Sequence, residues 1–257
     1  VLFFSTAGKV YKLKVYRLPL GTPQARGKAL VNLLPLDEGE TISTVMPLPE
    51  DESAWEALSV MFATASGGVR RNRLSDFTNV KANGKIAMKF EDEHADTKLI
   101  NARICSEEDD VMLVTNMGRA IRFPTTDVRV FNSRNSTGVR GVRLKEGQSV
   151  VSMSVIRHFD AEPWERSASI KRFRSALGSD VSEDEATTEE AEGALSDERY
   201  QEMLAANDLL VTINKTGAGN LTSAHDYRVS GRGGQGVGAM KGSEIVATFP
   251  VTLEDQI

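Results

Sequence analysis

Apolar positions along the chain fall in short alternating runs broken by polar turns, a period of two rather than the three-and-four spacing of helices. Four stretches share one pattern: a short apolar strand, a polar turn with glycine, and a second strand with basic residues. They are Phe3 to Val10, Phe62 to Val69, Leu113 to Ala120 and Thr212 to Gly219. Each predicts a β-hairpin, because glycine supplies the positive φ of a tight turn. A second glycine follows each hairpin glycine: Gly27 lies 19 after Gly8, Gly84 17 after Gly67, Gly138 20 after Gly118 and Gly236 19 after Gly217. Its surroundings are also alike, as in Arg26-Gly27-Lys28, Asn83-Gly84-Lys85, Thr137-Gly138-Val139 and Gln235-Gly236-Val237. An alternating apolar strand closes each unit, at Ile42 to Met46, Leu99 to Ile104, Val150 to Ile156 and Ile245 to Val251.

The hairpin glycines are 59, 51 and 99 residues apart, the last gap holding an insert of about one unit length. A unit of roughly 50 residues with four strands is the pattern of a propeller-like array. No blade of this size buries both faces alone, so neighbours must share a core. The expected fold is all-β, with four visible four-stranded blades at about 1–50, 51–106, 107–158 and 207–257. The insert, 159–206, is expected to be partly helical or disordered. Pro163-Trp164 with Ser167 to Leu177 predicts a short basic helix, and Ser196 caps a second one at Asp197 to Ala206. Ser179 to Gly193 is too poor in apolar residues to support a core and predicts disorder. Val1 in place of an initiator Met, with only four units in view, leads to the expectation of a longer parent chain.

Composition narrows the classes. Apolar residues at 40% and charged residues at 26% suit a globular domain, and no apolar run approaches the ~20 residues of a membrane helix. A lone Cys105 leaves no internal disulfide or cysteine zinc site and points to a reducing cytoplasm. His94, His158 and His225 are too scattered for a metal centre. The net charge of −5 splits unevenly: the insert holds 13 acidic against 5 basic residues, leaving the remainder at +3. An acidic insert masks a mildly basic body.

No catalytic constellation emerges. Gly231-Arg232-Gly233-Gly234-Gln235-Gly236 matches GxGxxG, but a strand follows where a dinucleotide site needs a helix. Glu107-Glu108 and Asp109-Asp110 read as solvated loop charges, Cys105 as a small core residue, and His225 as a turn or cap residue. The cations are better ordered. They recur after the hairpin glycine (Lys9, Lys12, Lys14; Arg70, Arg71, Arg73; Arg119, Arg122) and near the second glycine (Arg26, Lys28; Lys81, Lys85, Lys89; Arg134, Arg140, Arg143; Arg232, Lys241). Stacked units bring equivalent positions to one rim, where repeated cations become a band. Duplex DNA, with a negative charge every ~1.7 Å of axis, can follow such a band, without reading sequence. The competing reading is that these are solvent-facing strand residues. The fourth unit weakens the band, with Asn220-Leu221 where the others are basic.

Several stretches resemble the C-terminal domain of DNA gyrase A, the β-pinwheel of a bacterial type IIA topoisomerase. They are Phe4-Ser5-Thr6-Ala7-Gly8-Lys9-Val10-Tyr11, Ala25-Arg26-Gly27-Lys28, Val31-Asn32-Leu33-Leu34-Pro35-Leu36, Phe62-Ala63-Thr64-Ala65, and Ser136-Thr137-Gly138-Val139-Arg140-Gly141-Val142-Arg143-Leu144. The resemblance covers Val1 to His158 and Asp208 to Ile257. It implies a six-bladed pinwheel that wraps DNA around its rim, supporting ATP-dependent negative supercoiling. It also implies the N-terminal part of gyrase A and the gyrase B protein as partners, in an A2B2 holoenzyme. No cofactor is implied for this segment; ATP and Mg act through other domains, as does the catalytic tyrosine, so Tyr11, Tyr16, Tyr200 and Tyr227 are not the nucleophile. The DNA-binding candidates are Lys9, Lys12, Lys14, Arg26, Lys28, Arg70, Arg71, Arg73, Lys85, Arg119, Arg122, Arg140, Arg143 and Arg232. The family's Gln-Arg-Arg-Gly-Gly-x-Gly box is missing; Arg232-Gly233-Gly234-Gln235-Gly236 keeps only its last five positions. Alternatives are the sister protein of topoisomerase IV, a protein-binding propeller scaffold, or a propeller enzyme with a channel site.

Overall fold

The computed structural model describes residues 1–90, 97–133, 136–176, 195–240 and 242–252. Four antiparallel sheets follow one another, each built around a predicted hairpin. The first holds β1 (Leu2–Ser5), β2 (Lys9–Lys12) and β3 (Ile42–Met46). The second holds β4 (Ser59–Thr64) and β5 (Gly68–Arg73), then β6 (Lys85–Ile86) and β7 (Leu99–Cys105) follow in sequence. Next come β8 (Asp109–Thr115), β9 (Arg119–Pro124), β10 (Val139–Arg140) and β11 (Val150–Arg157). The last unit has β12 (Leu209–Asn214), β13 (Gly219–Ser223), β14 (Val237–Gly238) and β15 (Ile245–Val251).

The sheets do not coincide with the sequence units. The strand orders are β3-β1-β2-β6, β10-β5-β4-β7, β11-β8-β9-β14 and β13-β12-β15. Every unit keeps three strands and, from the second unit on, sends its short one to the preceding sheet: β6 pairs with β2, β10 with β5 and β14 with β9. Among the described residues the fourth sheet therefore has three strands. The second glycine makes this donation possible. Gly138 and Gly236 enter the neighbour at φ 98° and 71°, where a Cβ would collide with the carbonyl oxygens of Val69 and Ala120.

The hydrophobic core lies between sheets. In β4 alternate side chains go opposite ways: Phe62 joins Phe4, Leu2 and Phe77, while Met61 and Ala63 join Val111, Leu113 and Phe123. Both faces are covered, as the all-buried strand shows. Phe4, Phe62 and Phe77 meet edge-on, with centroids 5.4–5.9 Å apart. The closing strands lie innermost, β7 packing against β3 and β11, and β11 against β15. Polar ties join them: the Thr44 hydroxyl meets Asn101 Oδ1 at 3.0 Å, and Thr248 N donates to Ser152 Oγ at 2.7 Å. Hairpin strand and donated strand thus form the outer rim.

The insert lies in the link between β11 and β12. It contains α1 (Pro163–Ala176), which starts before Ser167 because Pro163 is favoured in a first turn, and α2 (Asp197–Ala205). Ser196 caps α2 by accepting from Arg199 N. Ser179 to Gly193 and Leu177 lie outside the described residues. Arg199 ties the helices together through Glu165 at 2.8 Å and stacks 4.7 Å over Phe159. Arg174 pairs with Asp226 in the fourth unit at 3.0 Å. Arg172 pairs with Asp197 at 2.8 Å, so three of the five cations in these helices are used within the fold.

Candidate nucleic-acid interface

The predicted cations separate into two sets. Lys14, Arg26, Lys28, Arg73, Arg140, Arg143 and Arg232 are exposed; Lys9, Lys12, Lys85 and Arg119 are half-buried. Arg134 and Lys241 lie outside the described residues. Arg70, Arg71 and Arg122 are 0%, 4% and 3% exposed, which corrects their expected place on the surface. Arg70 and Arg122 tie neighbouring segments together. Arg70 donates to the carbonyls of Ala87 and Ser136 and lies 5.4 Å over Phe62. Arg71 sits beside Glu107 at 3.7 Å. Arg122 Nε donates to Asp110 Oδ2 at 2.7 Å, and its amino groups reach the carbonyls of Ala224 and Arg157.

Asp110 also departs from expectation. It is fully buried, with His158 on its other oxygen at 2.8 Å. Burial lowers the His158 pKa, but Asp110 and Asp160 outweigh it and the net shift is upward. His225 is a buried turn residue, as read, with Nε2 2.9 Å from Met203 O; burial lowers its pKa. Cys105 ends β7 inside the core, where burial pushes the thiol up to about 12. Among the described residues no group of His, Cys, Asp and Glu could hold a metal ion, and no helix is long and apolar enough to cross a membrane.

Strand donation brings the outer cations together. Across the outermost ladder Lys9 faces Ile86, Gly68 faces Arg140 and Arg119 faces Gly238. The same rung carries one cation in each of three sheets, drawn from the hairpin in the first and third and from the donated strand in the second. Lys9 is held by Asp37 at the sheet edge. Arg119 donates to the carbonyls of Gln235 and Gly236. The glycine-rich loop 231–236 lies on the next seam, where Arg232 donates to the carbonyls of Asp127 and Arg140 and Arg143 N to Gly234 O. Arg119, the Arg140–Arg143 pair and Arg232, far apart in sequence, are brought to adjoining seams. Lys81 and Lys89 are also exposed, on either side of the short strand β6. At Leu221, 44% exposed, the fourth sheet is neutral at the position of Lys12, Arg71 and Arg122. Arg26 and Lys28 flank Gly27 on an exposed segment with no acceptor strand among the described residues.

The family model described as "DNA gyrase C-terminal domain, beta-propeller" matches residues 1–49, 59–97, 109–157 and 208–252. The DNA gyrase A protein of Granulibacter bethesdensis is 46% identical over 275 aligned residues, covering 100% of this chain and 29% of that protein. The chain thus spans less than a third of the relative's length. The crystal structure of the C-terminal domain of DNA topoisomerase IV superposes with a TM-score of 0.68 at 18% identity, covering 98% of this chain and 63% of that one. A DNA gyrase A C-terminal domain superposes at 0.50 with 19% identity, covering 98% and 82%. These two likenesses concern the fold.

Proposed function

The chain belongs to the DNA gyrase C-terminal domain family, and from that premise we propose that its rim binds duplex DNA without sequence preference and bends it around the array. In the longer protein this presents a DNA segment for strand passage and supports ATP-dependent negative supercoiling with the gyrase B protein, in the bacterial cytoplasm. ATP hydrolysis, Mg binding and DNA cleavage belong to other domains. The carrying observation is the shared rung of Lys9, Arg140 and Arg119 on the outer ladders. Cations repeated at one height of successive sheets match a polyanion that runs past all of them. Arg143, Arg232, Arg73, Lys14 and Lys85 widen the track, while Arg26 and Lys28 extend it along the first unit. Arg70, Arg71 and Arg122 support it from inside. Phosphates carry no base identity, so binding depends on charge and on the cost of bending.

The test is binding of duplex DNA across a salt series. Affinity should fall steeply, with log K losing roughly 0.9 per log of salt for each phosphate neutralised. Changing Arg119, Arg140, Arg143 and Arg232 together to Ala should weaken binding to all sequences alike and flatten that slope. Loss confined to one sequence, or a slope that stays unchanged, would overturn the assignment.

A further inference from the structure

A hollow opens beside Gly68 at the outer edge of the second sheet, with a volume of about 220 Å3. In the first and third sheets the equivalent position carries Lys9 or Arg119; here the rung residue has no side chain and the cation comes from across the ladder, at Arg140. Arg140 and Lys89, from different units, both line the hollow. Hydroxyls of Thr64, Ser66 and Thr137 line it as well, with Thr64 Oγ1 and Ser66 Oγ 3.0 Å apart, and no described lining residue is acidic. Two cationic residues and three hydroxyl residues around one open space supply the chemistry of a phosphate seat. A guanidinium matches two phosphate oxygens at once, and a neighbouring glycine lets the ligand come close to the backbone.

We propose that this hollow seats one backbone phosphate of the duplex and so fixes the height at which DNA crosses the second sheet. The proposal rests on the DNA-binding reading above and goes further, in making this contact a shaped site rather than a patch of charge.

The decisive substitution is Gly68→Arg. It restores the arrangement of the other two sheets and adds a positive charge, but it fills the hollow. Gly68 lies outside the left-handed region, and a Cβ there meets Thr64 Oγ1 at 3.1 Å, so Gly68→Ala serves as the reference for the cost of the added carbon. With a phosphate seat, Gly68→Arg binds a duplex roughly threefold to tenfold more weakly than Gly68→Ala at fixed salt. With a diffuse band of charge it binds more tightly, and that result overturns the proposal. Arg140→Ala checks it independently: the seat requires a local loss of backbone footprint at the second sheet, and an unchanged footprint refutes it. Titration of the intact chain with inorganic pyrophosphate at constant ionic strength separates the ligands. Amide shifts confined to Gly67, Gly68 and Thr137, in a protein that does not bind DNA, would assign the hollow to a free phosphate and reject both the DNA reading and the seating of a duplex phosphate. Wild-type DNA binding with no preference between Gly68→Arg and Gly68→Ala would reject the seat alone.

Discussion

Arg122 and Arg119 are three residues apart on one strand and both reach carbonyls of the neighbouring unit, but one is enclosed and the other half-exposed. Arg122 lies under the seam between the third and fourth units, its guanidinium consumed by Asp110 and by carbonyls of the neighbouring chain segments. Arg119 lies at the start of the strand beside the hairpin turn, half-exposed on the outer rung. The same contrast separates Arg70 and Arg71 from Arg140. A strand whose two faces are both covered leaves a cation free only at its ends or on the donated outer strand. Recurrence of a basic residue after the hairpin glycine is therefore two signals superposed, one that encloses the cation between blades and one that leaves it on the outer rung.

The largest expected effect lies on the buried side. Arg122→Ala leaves buried Asp110 with His158 as its remaining side-chain partner and should cost about 3–5 kcal/mol in denaturant unfolding, with little change in the salt slope of DNA binding by the protein that remains folded. A changed slope at full stability would place Arg122 on the DNA track and erase the contrast. Next comes the joint that creates the rim. Gly236→Ala, at φ 71° and against the Ala120 carbonyl, should cost roughly 2–3 kcal/mol. Gly27→Ala, at a similar φ but in open space, should cost only about 1 kcal/mol. Equal costs would mean that donation contributes little.

On the rim itself Arg143→Ala should reduce DNA affinity by about 1 kcal/mol and the salt slope by roughly 0.9, with the melting temperature nearly unchanged. The smallest effects concern the two histidines, which should tilt stability oppositely with pH. The His158 pKa is raised in the fold, so its contribution is full below about 6.5 and fades as pH rises through the raised value. The His225 pKa is lowered, so its contribution is present above about 6.5 and fades as pH falls through the lowered value. Unfolding free energies of His158→Gln and His225→Gln between pH 5 and 8 should flatten opposite limbs of the curve; flattening of the same limb would contradict both environments.

The hairpins and closing strands were legible because their information is local: a period of two, a turn glycine, a run of apolar residues. The insert helices were legible from Pro163 and the Ser196 cap. Strand exchange was not, since a two-residue strand such as Val139-Arg140 has no periodicity, and its partner lies some 70 residues earlier in β5. The repeated second glycine was its trace, but the sequence does not say which sheet that glycine enters. The split among the cations was hidden for a related reason. Arg70 and Arg140 look alike in sequence, and only the neighbouring sheet decides which of them is enclosed. Asp110 was misread because an acidic run at a strand start looks solvated until Arg122 and His158 are found beside it.

The donated strands are two residues long, whereas the ladders within each unit run from three to seven aligned pairs. Regular strand pairing between successive blades is therefore short, and the outer seam is completed by the isolated bridges Arg71–Val130 and Arg122–Val229 and by arginine side chains that reach carbonyls across it.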